Sequence, residues 1–286
     1  MIIRRKIRKD WIIGFVEGGV EPLFGTEKLK VHWVKNIYSD RWFADPFILD
    51  VDDKYIYVLA EECRYHKRGR IAKLTIDKVS YKMLSMDIIL HEKTHLSFPN
   101  IIRHEGKVYV YPENCHSKKL DIYEYSEKDE QLIPVQTICN DGLWDSTITE
   151  YFGKWQLFGG RENHFCLEEY DWSESQMRFI HSRTYESAQA DFRLAGQFFK
   201  YQGEVYCPMQ DCSKTYGGAV IVNKVSKTED GIRFTPVRRI VSPSKRMNEG
   251  MHTLNMYKGL VVIDAKGYKN MFDYLLFALL HLFKIK

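Results

Sequence analysis

Four carboxylates stand where this 286-residue chain offers most chemistry: Asp45 in Ala44-Asp45-Pro46-Phe47, Glu113 in Tyr111-Pro112-Glu113-Asn114, Asp145 in Trp144-Asp145-Ser146, and Asp211 in Gln210-Asp211-Cys212. Gathered in one pocket they suit glycosyl transfer, whose oxocarbenium-like state needs one carboxylate as base or nucleophile and another group as acid. Like charges held close push one pKa upward, which keeps an acid protonated near neutrality. Groups suited to holding a sugar accompany them: Glu61, His95, Trp144, Arg161, Arg193, Gln210, Tyr216 and His252. Trp42, Phe43, Trp144 and Phe192 offer flat faces for pyranose rings.

Each of these residues also has a plainer use. An Asp at the head of an inner strand bonds backbone amides and shapes the strand, which serves for Asp45 and, by repetition, for Asp145. Glu113 follows a proline that ends its strand, so a solvated end-cap and a functional acid both fit. Arg193 suits either a salt bridge or a clamp on a carboxylate or phosphate. His95 and His252 read as hydrogen-bonded structural residues first, with a divalent metal near His252 as the alternative; no other cofactor is called for. Gln210 and Asp211 beside Tyr216-Gly217-Gly218 suit hydroxyl recognition or a loop brace.

What must position these residues is a repeat. Phe43-Ala44-Asp45-Pro46-Phe47-Ile48-Leu49 returns as Leu96-Ser97-Phe98-Pro99-Asn100-Ile101-Ile102, Trp144-Asp145-Ser146-Thr147-Ile148, Arg193-Leu194-Ala195-Gly196-Gln197-Phe198 and Gly250-Met251-His252-Thr253-Leu254-Asn255. Anchors at 45, 98, 145, 195 and 252 give steps of 53, 47, 50 and 57 residues. A period of about 40–50 residues with several short strands per unit marks a propeller blade. After each anchor come a turn and a β-rich run, as in Glu105-Gly106-Lys107-Val108-Tyr109-Val110, which predicts hairpins. The second strands end on Glu61, Glu113, Arg161, Asp211 and Asp264. The start of one hairpin strand and the end of the next share an edge. Asp45, Asp145, Arg193 and His252 are therefore expected at one mouth of the central channel with those five.

The predicted fold is an all-β, five-bladed propeller over residues 1–269, with blades starting near 42, 95, 143, 192 and 250. The short runs within 11–34 close the ring by completing the fifth blade, which hides its edges. Hydrophobic content of 44% and charged content of 28% are ordinary for a globular domain. A formal charge of +4, with Lys and Arg scattered along the chain, argues against nucleic acid as a partner. The six cysteines show neither CxxC spacing nor a disulfide framework, which fits reduced thiols in the cytoplasm.

The N-terminal apolar run Trp11 to Val16 is too short for a signal-peptide core. At the other end, residues 270–286 carry a helical apolar run, Met271 to Phe283, flanked by lysines. It is shorter than the roughly 20 residues a bilayer span needs. Two readings stand: an interfacial helix giving peripheral contact with the inner membrane face, or a helix packed on the propeller or a partner.

With these motifs in order, the chain from residue 11 to about 268 resembles the propeller domain at the N-terminus of glucosamine inositolphosphorylceramide transferases, also found as stand-alone bacterial proteins associated with surface-polysaccharide synthesis. The resemblance rests on Ala44-Asp45-Pro46-Phe47, His95-Leu96-Ser97-Phe98-Pro99, Pro112-Glu113, Trp144-Asp145-Ser146, Arg193-Leu194-Ala195-Gly196, Gln210-Asp211-Cys212 with Tyr216-Gly217, and Gly250-Met251-His252-Thr253. That domain is similar in turn to the five-bladed propellers of family 43 glycoside hydrolases. The resemblance implies a general base at Asp45, a carboxylate that tunes the acid at Asp145, and a channel histidine, sometimes near a metal, at His252. Ala195-Gly196 stands where those enzymes place the acid, so Glu113 or Asp211 must substitute if there is hydrolysis.

Two functions follow as expectations. The first is an enzyme of cell-surface polysaccharide or glycolipid biosynthesis that moves a glycosyl group, nucleotide- or lipid-linked, to an acceptor or to water. Asp45 is then base or nucleophile, Asp145 its electrostatic partner, and Glu113 or Asp211 the acid. The second is a non-catalytic glycan-binding module that partners a separate glycosyltransferase.

Overall fold

The computed structural model describes residues 9–161, 164–186 and 193–269, together with Phe272 and Leu275. The C-terminal helix expected over 270–286 and the aromatic candidate Phe192 lie outside the described residues. No described helix is long and apolar enough to cross a membrane.

Among the described residues, twenty strands form five antiparallel four-stranded sheets, the five blades of a propeller. The chain begins in the last of them, with β1 (Lys9–Val16) and β2 (Val31–Trp33). Blade 1 is β3 (Arg41–Val51), β4 (Tyr55–Arg64), β5 (Arg70–Asp77) and β6 (Met83–Leu90). Blade 2 is β7 (Ser97–His104), β8 (Lys107–Glu113), β9 (Leu120–Ser126) and β10 (Gln131–Cys139). Blade 3 is β11 (Trp144–Thr149), β12 (Gln156–Arg161), β13 (His164–Ser173) and β14 (Arg178–Glu186). Blade 4 is β15 (Phe199–Tyr201), β16 (Glu204–Asp211), β17 (Ala219–Thr228) and β18 (Gly231–Ile240). Blade 5 joins β19 (Leu254–Tyr257) and β20 (Leu260–Tyr268) to β1 and β2. Strand β1 pairs with β20 from Lys9 opposite Tyr268 to Val16 opposite Val261, so the ring is closed by backbone hydrogen bonds between the two ends of the chain. This closure is why the fifth repeat is short.

Instead of one central core there are five, one in each seam between blades. Phe15, Phe43, Val58 and Val262 pack between blades 5 and 1. Phe47, Leu59, Phe98 and Val110 fill the next seam, Tyr111, Leu157 and Tyr170 the third, Phe158, Cys207 and Met209 the fourth, and Val220, Leu254 and Ile263 the fifth. An inner strand is covered on both faces and reads as a continuous apolar run, as β3 does from Phe43 to Leu49. An outer strand such as β10 keeps only isolated buried positions. All six cysteines are free thiols.

Candidate functional site

The repeated anchor is a left-handed bulge at the head of the inner strand. Asp45 (φ 50°), Phe98 (φ 43°) and Asp145 (φ 45°) hold a backbone conformation that side-chain-bearing residues adopt rarely and at a cost of about 1–3 kcal/mol each. The strand register slips at all three, between Ala44 and Phe47, Ser97 and Asn100, and Trp144 and Thr147. Each bulge turns its N–H toward the preceding blade, where a carboxylate receives it. Asp45 N donates to Asp264 Oδ2 at 3.1 Å, Phe98 N to Asp45 Oδ2 at 3.1 Å, and Asp145 N to Glu113 Oε2 at 2.8 Å. The hand-off continues with Gln210 Nε2 donating to Asp145 Oδ2 at 2.9 Å and Leu254 N to Ala195 O at 2.7 Å. In blade 4 the device changes: Gly196 lies against the Leu254 carbonyl so closely that a Cβ has no room.

Below this ring the channel is filled by polar side chains two or three residues past the anchors. Asn100 Nδ2 donates to Ser146 O and Thr147 Oγ1, both at 3.0 Å. Gln197 Nε2 donates to Asn100 Oδ1 at 2.9 Å, and Asn255 Nδ2 to Pro46 O at 3.0 Å. These hydrogen bonds tie the inner strands of all five blades together beneath the mouth, blade 1 through the Pro46 carbonyl.

Its walls fall into two groups. On the blade 5–1 side, His252 Nδ1 lies 2.6 Å from Asp264 Oδ2 and 3.5 Å from Asp45 Oδ1. Its ring stacks on Trp11 at 3.8 Å. Thr253 Oγ1 donates to Asp45 Oδ1 at 2.7 Å, while His252 N and Thr253 N both donate to Asp264 Oδ1 at 3.0 Å. Burial alone would depress the imidazolium, but Asp264 and then Asp45 outweigh it and raise His252 to about 9. Burial raises the Asp45 carboxyl, with His252 opposing and Glu61, Asp264 and Asp145 adding to the rise. Among the described residues, Asp45, His252 and Asp264 are the group whose ligand atoms, within 4.8 Å of one another, are placed to hold a cation. All four of their carboxylate oxygens already accept hydrogen bonds, so a cation would compete with the contacts that join blade 5 to blade 1 and blade 1 to blade 2.

On the blade 2–4 side, Arg193 Nε donates to Asp145 Oδ2 at 2.6 Å. The guanidinium lies 4.7 Å from the Trp144 ring centre and 5.2 Å from that of Tyr216. Burial raises the Glu113 carboxyl well above the usual range, Asp145 raises it further, and Arg193 opposes both. Among the described residues, neither Asp145 Oδ1 nor Glu113 Oε1 has a hydrogen-bond partner. Tyr216 is half exposed and stands at the rim, its ring nearly perpendicular to that of His252.

Glu61 and His95 complete the rim on blade 1. His95 Nδ1 accepts the Gly69 N–H at 2.9 Å, which leaves the ring proton on Nε2, 3.0 Å from Glu61 Oε1.

Two candidates are not part of this constellation. The Asp211 carboxylate accepts Ser213 N and Oγ and lies 2.6 Å from Arg239 Nε on β18. Burial works against its charge, yet Ser213 and Arg239 hold it below the usual carboxylate range, so it is ionised and turned outward. Alternation along β16 puts Gln210, one residue earlier, on the inward face. Arg161 points to Asp141 and Tyr170 at 2.8 and 3.0 Å, a rim contact within blade 3. Conversely, sequence reasoning passed over Trp11, Thr253 and the channel floor. Only the floor had a signal: a polar residue two or three positions past four of the five anchors.

Residues 31–258 match the family described as glucosamine inositolphosphorylceramide transferase 1, N-terminal. The chain is 28% identical over 225 residues to glucosamine inositolphosphorylceramide transferase 1 of Oryza sativa subsp. japonica, covering 73% of this chain and 30% of that protein. It is 26% identical over 225 residues to the Arabidopsis thaliana protein of the same name, covering 73% of this chain and 29% of that one. The chain therefore spans about 30% of the length of these curated relatives. Among solved structures, a GH43_1 enzyme from Xanthomonas citri superposes with a TM-score of 0.57 at 12% identity, covering 80% of this chain and 88% of that one. The RS223 β-xylosidase gives 0.55 at 14% identity, covering 79% and 92%. These similarities establish the shared propeller fold.

Proposed function

Because the chain belongs to the glucosamine inositolphosphorylceramide transferase 1 N-terminal family, we propose that it is a carbohydrate-active propeller that transfers a glycosyl group to an acceptor or to water in the assembly of a surface glycan or glycolipid. The observation that carries this reading is Glu113: a buried carboxyl with a raised pKa, backed by Asp145 and facing Arg193. A carboxylic acid that keeps its proton near neutrality is what a departing sugar oxygen needs. Glu113 is then the acid that the fourth blade does not supply, and Asp145 tunes it. Asp45, buried and also raised, is the base across the mouth. Trp144, Tyr216 and Arg193 form the wall against which a sugar ring and an anionic substituent lie.

Glu113→Gln and Asp45→Asn test the reading with the purified chain and a panel of activated sugars. Each is expected to lower turnover about a thousandfold, the range of lost acid–base catalysis and more, while leaving sugar binding within about threefold. Full turnover in either variant removes the assignment.

A second reading draws on a specific observation: both oxygens of Asp45 are occupied, by the Thr253 hydroxyl and the Phe98 N–H. A base so committed favours a glycan-binding module that works beside a glycosyltransferase. In that case no donor is turned over, and Trp144→Ala or Arg193→Ala weakens glycan binding.

A further inference from the structure

On the rim of blade 1, next to the mouth, a cavity of about 670 Å³ is lined by Arg64, His66, Lys67, Arg68, Arg70 and His91, with Glu92 as its one acid. That volume is in the range of small-molecule sites, roughly 300–1,000 Å³. The β4–β5 connection builds it. Lys67 N donates to Arg64 O at 3.0 Å, closing a turn with His66 at φ 64°. The turn projects Lys67 and Arg68 into solvent. Arg64, itself exposed, and the half-buried Arg70 share the fully buried Glu62 with Arg41, at 3.9, 2.9 and 2.8 Å. Arg41 and Arg64 also contact Asp40. Glu92 lies 3.4 Å from the Tyr123 hydroxyl.

Five guanidinium and ammonium groups therefore stand against three carboxylates, and the surplus falls on the two outermost. Among the described residues Lys67 has no ion-pair partner, and Arg68 Nη1 is held by a neutral acceptor, the Lys93 carbonyl. An anchored guanidinium beside a free ammonium, with Arg64 and Arg70 lining the same cavity, is an arrangement for oxyanions with several acceptor atoms. Gly69, between the lining residues Arg68 and Arg70, walls the turn off from the rim of the mouth: a Cβ there would meet Glu61 Oε1 at 2.7 Å, His95 Cε1 at 2.8 Å and the Leu96 carbonyl. Only a bare backbone brings the basic turn this close to the rim acids.

We propose that this cavity is a phosphoryl-binding site, taking the phosphate or diphosphate of an activated sugar whose glycosyl part lies in the mouth. The inference rests on the carbohydrate reading above for the glycosyl part and on the cavity alone for the anion.

Inorganic pyrophosphate is the probe, titrated calorimetrically into the whole chain at low salt. Saturable binding is expected, weakening as salt rises. The double variant Lys67→Glu/Arg68→Glu is expected to bind at least tenfold more weakly, since each charged hydrogen bond lost is worth roughly that factor. Among the described residues the Lys67 side chain makes no hydrogen bond or ion pair, so a loss of affinity in Lys67→Glu alone does not reflect misfolding. Competition by a nucleoside diphosphate through the same two residues places the site on a nucleotide-linked sugar. Equal competition by a sugar 1-phosphate places it on a simple sugar phosphate. No saturable binding by the unaltered chain, or equal affinity in the variants, overturns the site. Pyrophosphate binding through Lys67 and Arg68 with full turnover in Glu113→Gln and Asp45→Asn leaves the anion site standing and removes the catalytic mouth. The reverse pattern does the opposite.

Discussion

The strongest perturbation available at the mouth is the removal of the His252 imidazolium. The side chain is buried, with Asp264 at 2.6 Å and Asp45 at 3.5 Å, and its pKa rises from 6.5 to about 9. At 1.36 kcal/mol per pH unit, the difference is worth roughly 3 kcal/mol of folding stability. Because the folded value lies above the unfolded one, the native state binds the proton more tightly. The contribution is complete below about pH 6.5 and is lost as pH rises through about 9. Asp45 and Glu113, whose carboxyls are also raised, act with the same sign, but their loss begins at lower pH.

Urea denaturation at pH 6.5 and pH 10 reads the effect directly. The unaltered chain is expected to lose at most roughly 3 kcal/mol more between the two than His252→Gln, in which the titrating cation is gone. Tyrosine, lysine and cysteine ionisation is common to both and cancels, whereas the Asp45 carboxyl, freed of the His252 charge, rises further in the variant and reduces the difference. Imidazole resonances followed by NMR give a second readout, with a midpoint near 9 expected for His252. A midpoint near the ordinary 6.5, or parallel stability curves for the two proteins, refutes the claim that Asp264 and Asp45 hold a charged His252.

Three further outcomes follow from the same geometry. Asp264→Asn leaves the His252 cation with one carboxylate and weakens the acceptor for Asp45 N, and is expected to cost about 3–5 kcal/mol, as for a broken buried pair, measured by chemical denaturation. Arg193→Lys keeps the charge but removes the planar group between Trp144 and Tyr216, so ligand affinity falls about tenfold while the melting temperature moves little; unchanged affinity separates Arg193 from the ligand. Gly69→Ala forces a Cβ against the Leu96 carbonyl and is expected to destabilise by about 1–3 kcal/mol, with loss of the His95–Glu61 contact; a neutral result shows that the wall between mouth and cavity yields.

The five blades were legible because a propeller repeats its burial pattern at every blade, and closure by the chain's two ends was legible in the short fifth repeat. The bulge was not. Asp45 and Asp145 carry a carboxylate that Phe98 lacks, and what unites all three is a left-handed backbone that side-chain chemistry does not announce. The strand-end rule gathered Glu61, Glu113 and Asp264 at the mouth but overreached at Asp211 and Arg161. A strand end fixes height along the channel, whereas facing alternates residue by residue, and Gln210 rather than Asp211 carries the inward side chain. The basic turn Arg64-Tyr65-His66-Lys67-Arg68-Gly69-Arg70 was present in the sequence. A whole-chain charge of +4 hid it, because the arginines nearest the core are neutralised by Glu62 and Asp40, which pairing alone reveals.

The two halves of the mouth differ in how completely their polar groups are used, and the difference follows the ring's construction. Blades 5 and 1 meet where the sheet is completed by the opposite end of the chain, so that seam must be held by contacts remote in sequence. Asp264, Thr253, His252 and Asp45 supply them, and each carboxylate oxygen there is engaged. Blades 2, 3 and 4 follow one another directly and need fewer such clasps. Their carboxylates spend one oxygen on a neighbouring blade and keep the other, at Glu113 and Asp145, beside a guanidinium framed by two aromatic rings. Unspent acceptors beside an aromatic wall are what a ligand can use, whereas satisfied ones resist displacement. Under the proposed function, substrate contact is therefore expected on the blade 2–4 half, with Asp45 facing it from a blade 5–1 half that also keeps the ring closed and its charge fixed.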